Sequence, residues 1–423
     1  MNDPGAVSAE QLQRGWDGGR ILALSGAASR DRQSLAAAID PRGLADLERR
    51  WGAGVVIGSG GSSGGRRWCL QPLAHLERSA AATGRWLAAC GLEPAACLQL
   101  NPLPLHHVSG LLPLVRARQW GAGHRLLDPR LLRHPEGLAE LAIPAGRAVL
   151  LSLVPTQLQR LIEQPAGLAW LQRLTLIWVG GAPLPPALAA RARAAGVRLA
   201  PCYGATETAA MVCALPPERF LAGGGGYGPP LDDVELRLDP ATGAVELRTA
   251  RLSPGWLEAG RLRPLRRDAA GWWRSGDAGR LAGDSLALLG RLDGAIHSGG
   301  ETVFPEQLEQ RLLAQARSAG LPLQALLLLP VDDGAWGQRL VGLVRPTGAA
   351  AQDGSMEAQA LLAALAELTA TWAAAERPRR WRICPPLAPS SLGKWQRHRW
   401  RAWLAELEAR QCDPAGRPDA DPL

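Results

Sequence analysis

Apolar residues along this chain fall into short continuous runs separated by longer stretches of helical period. Residues 54–57, 148–155 and 174–179 are such runs, and like the shorter Leu98-Gln-Leu100 they end at Gly, Pro or Asn. Continuous rather than alternating apolar runs suit strands buried on both faces. Between them, residues 73–90 read as a helix, and Arg116 and Arg118 fall on another. A further helix is expected from Thr156 as N-cap through Leu158, Leu161 and Ile162, and one opens near Pro185. Strands alternating with helices imply a parallel sheet covered on both sides, with ligands at the C-terminal ends of its strands. Residues 1–50 read as helical pieces rich in Ala and Leu, and 234–289 as short alternating strands. The glycine-dense segment 290–301 reads as a domain junction. Beyond it a helix starts at Pro305, with Leu308 and Leu312 one turn apart. Strands at 325–331, 340–346 and 381–384 and a helix near 358–374 complete a small α/β unit, with a linker at 347–355 inside it. A helix from 395 to about 410 and a disordered tail close the chain.

Composition sharpens this picture in a few places. A length of 423 residues allows two or three domains and a large core. There are 16 Trp but only 2 Phe and 2 Tyr, and Lys394 is the only lysine. Trp, Arg, Ala, Gly and Pro have GC-rich codons, so mutational bias accounts for much of this, including the net charge of +8. The arginines are scattered with no run above two, which reads as a solvated basic surface and not as a nucleic-acid site. Seven cysteines, an odd number with no Cys-x-x-Cys, imply a reducing cytoplasm without a zinc site or disulfide framework. No charged-then-apolar leader opens the chain, and apolar runs such as 323–331 are far too short to span a membrane.

Candidate chemistry sits at glycine turns. The strand at 54–57 runs into Gly58-Ser59-Gly60-Gly61-Ser62-Ser63-Gly64-Gly65-Arg66-Arg67. Such a loop can wrap an anion with backbone N–H and hydroxyl donors, or serve as a linker. It is neither a Walker A loop nor a dinucleotide fingerprint. The pair His106-His107 has no carboxylate or Cys spaced to complete a metal site. Glu207, in Tyr203-Gly-Ala-Thr-Glu-Thr208, suits Mg²⁺ bridged to phosphates, or the first turn of a capped helix. Asp277, in a Ser-Gly-Asp turn, could hold a ribose diol or stabilise the turn. Lys394 is a point-charge ammonium in a chain where every other basic residue is Arg.

The Gly/Ser loop, Tyr203-Gly-Ala-Thr-Glu207, Ser275-Gly-Asp277, Gly290-Arg-Leu-Asp293 and Lys394, in this order, resemble the adenylate-forming acyl-CoA synthetase superfamily over about residues 54–400. The resemblance implies an acetyl-CoA synthetase-like α/β fold. A large, N-terminally shortened domain of parallel-type sheets flanked by helices (1–291) would precede a small mobile α/β domain (292–410) and a disordered tail (411–423). It also implies roles. Ser59, Gly60, Gly61, Ser62, Ser63, Gly64 and Arg67 would cradle the ATP phosphates. Gly181, Ala182 and Pro183 would border the adenine, with Tyr203 stacking on it beside Gly204. Thr206 would touch phosphate and Glu207 would hold Mg²⁺. Asp277 and Arg291 would bind the ribose, and Asp293 would be the hinge. Lys394 would bridge the acyl carboxylate and the α-phosphate. Ser298, Gly299 and Gly300 would line a tunnel for the co-substrate CoA.

Pro104-Leu-His-His-Val-Ser-Gly-Leu111, Ser152-Leu-Val-Pro-Thr156 and Ser298-Gly-Gly-Glu301 look most like the o-succinylbenzoate–CoA ligases of menaquinone and phylloquinone biosynthesis. His107, Ser109 and Gly180 would then line the acyl site, and Arg116 would face the second carboxylate of the acid. The resemblance implies a cytoplasmic enzyme whose partners are a small carboxylic acid, ATP and CoA, with no nucleic acid and no integral membrane segment. Two departures keep alternatives open: Arg66-Arg67 replaces the usual Pro-Lys, and the segment before the phosphate loop is short. A ligase for another aryl or acyl acid, or a nucleotide-binding homologue without turnover, would fit the same motifs.

Overall fold

The structure is a computed structural model that describes residues 7–60, 66–141, 143–144, 146–348, 355–389 and 395–412. The described residues divide into two compact units, one ending at Leu292 and the other beginning at Asp293.

The first unit holds three sheets. The six-stranded sheet runs Gly123–Leu126, Leu98–Asn101, Val149–Leu153, Leu176–Val179, Leu199–Ala205, Ala210–Ala214. Its first five strands are parallel, and the last is antiparallel. Every residue of Val149–Leu153 and Leu176–Val179 is buried, as continuous apolar runs require. Helices Val108–Trp120, Pro155–Ile162 and Pro186–Ala194 follow its strands. A five-stranded sheet (Ile21–Leu24, Gly54–Gly60, Arg66–Pro72, Gly255–Glu258, Arg261–Pro264) and a four-stranded antiparallel sheet (Glu235–Leu238, Ala244–Arg248, Trp273–Ala282, Ser285–Arg291) complete the unit. The alternation of strands and helices thus gives one parallel sheet, and the other two are built mainly of hairpins.

Three local expectations are corrected. Residues 1–50 are not all helical, because Ile21–Leu24 is a strand paired in parallel with Gly54–Ile57. Four apolar residues carry no period of their own, and the pairing comes from a strand about thirty residues on. Thr156 is not the N-cap of its helix. Pro155 occupies the first turn and Val154 is the cap, its N–H bonded to Gln157 Oε1 at 3.1 Å. Asp277 lies within the strand Trp273–Ala282 and not in a free turn; Gly276, at φ +82°, bends that strand.

The second unit packs helices Pro305–Ser318 and Met356–Thr369 on a sheet ordered Glu301–Val303, Ile296–Ser298, Gly337–Pro346, Leu323–Asp333, with Arg380–Ile383 parallel to Gly337–Pro346. An ion pair between a buried carboxylate, Glu309, and a largely buried guanidinium, Arg397, lies within it. Both Glu309 oxygens accept from Arg397 at 2.9 Å, and the Leu328 N–H adds a bond of 2.7 Å. Arg397 in turn donates to the Leu328 carbonyl at 2.8 Å. This ties the first residue of helix Arg397–Cys412 to helix Pro305–Ser318 and strand Leu323–Asp333. Removing either partner would strand a buried charge. Among the described residues no helix is long and apolar enough to cross a membrane.

Two histidines make stability depend on pH. Burial lowers His75, which lies edge-on to Trp51, to about 4, and lowers His124 to about 4. Between that value and the ordinary 6.5 the unfolded chain binds more protons than the folded one. Stability should therefore fall as pH drops through this window. The loss should be on the order of 1–2 kcal/mol for each ring, after allowance for the part water reaches. Urea midpoints at pH 7 and pH 5 test this: His75→Phe and His124→Asn should flatten the difference, and an unchanged slope in both would refute it.

Candidate active site

The strand Leu199–Ala205 ends in a single turn, Thr206–Thr208, that exposes little of its carboxylate. Glu207 is only 5% exposed. Its Oε1 accepts from Ser59 Oγ at 2.7 Å and from Trp256 Nε1 at 3.2 Å. No donor among the described residues reaches Oε2, and no arginine pairs with the carboxylate. Arg67 lies over Trp256, its guanidinium carbon 4.5 Å from the ring centroid. The strands Gly54–Gly60 and Arg66–Pro72, paired Ser59 to Arg67 and Gly60 to Arg66, bring both ends of the glycine loop here. Gln71 Nε2 holds the Thr206 carbonyl. One free carboxylate oxygen beside the ends of a glycine loop fits a hard divalent cation that takes its other ligands from phosphate and water. Among the described residues no cluster of three or more His, Cys, Asp or Glu could hold a metal by itself.

Four residues earlier, Tyr203 donates to Asp277 Oδ2 at 2.6 Å. Burial, with Asp277 beside it, pushes the Tyr203 phenol well above its usual range, so it stays protonated and donates. Arg291 reaches Asp277 Oδ1 at 3.2 Å and the Ser275 carbonyl at 3.3 Å. Gly276 lets it approach: a Cβ there would lie 3.0 Å from Arg291 Nη2. Tyr203, Asp277 and Arg291 thus form one connected group.

Arg116 stands apart in character. It sits on helix Val108–Trp120 and is 4% exposed. Its Nε has no hydrogen-bond partner, and no carboxylate among the described residues pairs with it. The guanidinium carbon lies 4.4 Å from the Trp178 ring centroid, and burial lowers its pKa to about 10. Cation–π attraction offsets only part of the desolvation of an unpaired charge. The neighbouring Cys202 thiol, pushed up to about 12 by burial, is neutral and supplies no counter-charge. Cys202 also packs on Gly180, where a Cβ would meet its Sγ at 2.9 Å. Gly181, at φ +80°, turns the chain away from strand Leu176–Val179 into Ala182-Pro183. His107 precedes helix Val108–Trp120 and lies against His106, ring centroids 4.5 Å apart and planes tilted by 46°, while Ser109 is exposed.

In the second unit Asp293 lies in the turn Leu292–Gly294. Ser298 is fully buried and its hydroxyl has no partner. Gly299, at φ +58°, packs so closely on Trp336 that a Cβ would lie 2.5 Å from the ring, and Gly300 follows at φ +86°. Gly61, Ser62, Ser63, Gly64 and Lys394 lie outside the described residues.

Sequence reasoning missed Trp256 and Trp178. Nothing near either residue signals a site, because each acquires its role from a contact remote in sequence. Residues 74–248 match the family described as AMP-binding enzyme. The chain is 33% identical over 309 residues to the 2-succinylbenzoate–CoA ligase of Salmonella typhimurium, covering 73% of this chain and 60% of that protein. The solved structure of wild-type E. coli MenE with a bound m phenylether-linked analogue of OSB-AMS is 29% identical, with TM-score 0.60 over 83% of this chain and 69% of the other. For the Bacillus subtilis o-succinylbenzoate CoA synthetase in complex with the acyl-adenylate intermediate OSB-AMP, the identity is 18% and the TM-score 0.66, over 93% and 91% of the two chains. That likeness shows the fold, the mixed α/β arrangement of acetyl-CoA synthetase type expected from the motifs. The chain spans about 60% of the length of the curated relatives it matches first.

Proposed function

We propose that this chain is an ATP-dependent acid–thiol ligase of the cytoplasm. It adenylates o-succinylbenzoate and passes the acyl group to CoA, as menaquinone or phylloquinone synthesis requires. The observation that carries the reading is Arg116, a buried guanidinium with no anionic partner among the described residues. A substrate with one carboxylate to activate and a second to be recognised would supply that anion. The curated relatives named for this activity support the same choice.

The chemistry assigns the remaining residues. A carboxylate oxygen attacks the α-phosphorus, the bond to the β-phosphate oxygen breaks, and pyrophosphate leaves. The CoA sulfur then attacks the acyl carbon, AMP departs, and the thiol proton goes to solvent. Two anions must meet in the first step. Arg67 and the glycine loop would hold the phosphates, and Thr206 would donate to one of them. Asp277 and Arg291 would fix the ribose, with Tyr203 held between adenine and Asp277. Glu207 would hold Mg²⁺ through its free oxygen, and the metal when bound would draw charge from the phosphates. Lys394 would bridge the attacking carboxylate and the α-phosphate. Ser298, Gly299 and Gly300 would line the path of the pantetheine arm, and Asp293 would be the hinge between the two half-reactions.

A pyrophosphate-release assay over a panel of carboxylic acids, with and without CoA, tests this. Release dependent on o-succinylbenzoate supports it. Release with a different aryl acid would reassign the substrate, and ATP binding without release from any acid would make the chain a nucleotide-binding homologue.

A further inference from the structure

Directly after Glu207 the main chain does something that L-residues avoid. Ala209 and Ala210 are consecutive and both left-handed, at φ +52° and +77°. Neither is glycine, so each carries a Cβ into a disfavoured region. The surrounding structure must hold them there.

The holding group is Arg251, whose side chain is fully enclosed. Its five N–H donors find five acceptors. Nε and Nη2 take the two oxygens of Asp233 at 2.7 and 3.1 Å. Nη2 also reaches the Met211 carbonyl at 2.9 Å. Nη1 reaches the Thr208 carbonyl at 2.7 Å and Ser79 Oγ at 3.1 Å. Ser79 passes the grip on, donating to the Ala209 carbonyl at 2.6 Å, and the Thr208 hydroxyl lies 2.7 Å from the Ala210 carbonyl. All four carbonyls from Thr208 to Met211 are therefore held, three of them through Arg251 or its direct partner. Two residues past Arg251, the Ser253 N–H bonds the Glu207 carbonyl at 2.7 Å. The segment containing Arg251 thus secures the main chain from the Glu207 carbonyl through Met211, while Gln71 holds the Thr206 carbonyl on the other side.

We propose that Arg251 is a positioning residue for metal–nucleotide binding: it locks the left-handed pair so that Glu207 and Thr206 face the phosphates. This rests on the adenylation reading above. A planar fork is required, because one lysine ammonium cannot reach Asp233, Thr208 and Met211 together.

The test uses Arg251→Lys, alone and combined with Ala209→Gly and Ala210→Gly. Mn²⁺ binding in the presence of ATP is followed by electron paramagnetic resonance, alongside the KM for the acid and the thermal midpoint. Arg251→Lys should weaken Mn²⁺ binding about 10–100-fold with the acid KM unchanged. The two glycines, which adopt left-handed backbone freely, should restore most of it. Asp233→Asn, which leaves every Arg251 donor in place, should weaken Mn²⁺ binding less and keep the fold available should Arg251→Lys not accumulate. Mn²⁺ binding unchanged in both single variants, or a loss that the glycines do not repair, would overturn the role even if the thermal midpoint falls. No Mn²⁺–ATP binding by the parent chain would instead overturn the adenylation reading, and this role with it.

Discussion

Arg116→Met should lower kcat/KM for o-succinylbenzoate by about 10²–10³-fold while leaving the ligand-free protein more stable than the parent. The two effects share one cause. In the free protein the guanidinium is buried on Trp178, and among the described residues no carboxylate pairs with it. Replacing such a charge with an apolar side chain of similar length should be worth about 1–3 kcal/mol to the fold. When a dicarboxylate binds, the same charge gains its partner, and losing that pair should cost about 2–5 kcal/mol of binding. Thermal unfolding without ligand and kcat/KM for o-succinylbenzoate and for an analogue lacking the second carboxylate separate the terms. Equal losses with both acids would remove Arg116 from acid recognition. A lower melting temperature would show that the side chain is a structural element instead.

Lys394→Ala should slow acyl-adenylate formation by about 10²–10³-fold, while thioester formation from supplied acyl-adenylate loses far less. Only the first half-reaction brings a free carboxylate against a phosphate. Lys394→Arg should also be poor, because the flat fork cannot sit as a point charge between two oxyanions. Single-turnover measurements of each half-reaction decide this. Equal loss in both would mean that the lysine does not act at the α-phosphorus.

What could be read ahead of the structure follows a physical divide. Buried parallel strands announce themselves, since Val149–Leu153 and Leu176–Val179 are apolar at nearly every position and too short, between Gly and Pro, for a buried helix. Ile21–Leu24 does not, because four apolar residues become a strand only through a partner elsewhere in the chain. At the candidate site, turn chemistry is local and therefore visible: Gly181, Gly276 and Gly299 all take the positive φ that glycine allows. Ala209 and Ala210 take it without glycine, so no local pattern betrays them. The family resemblance singles out Arg116 but is silent on its burial, which depends on Trp178. Trp256 reaches Glu207 across 49 positions, and no window along the chain could relate the two.

The Glu309–Arg397 pair sets a leash. Lys394 precedes Arg397 by three residues, and a fully stretched peptide of that length spans only about 10 Å. Arg397 itself is tied to helix Pro305–Ser318 and strand Leu323–Asp333, so the sequence just before it is tethered to both. Glu309→Ala would remove the charged tie between the start of helix Arg397–Cys412 and helix Pro305–Ser318.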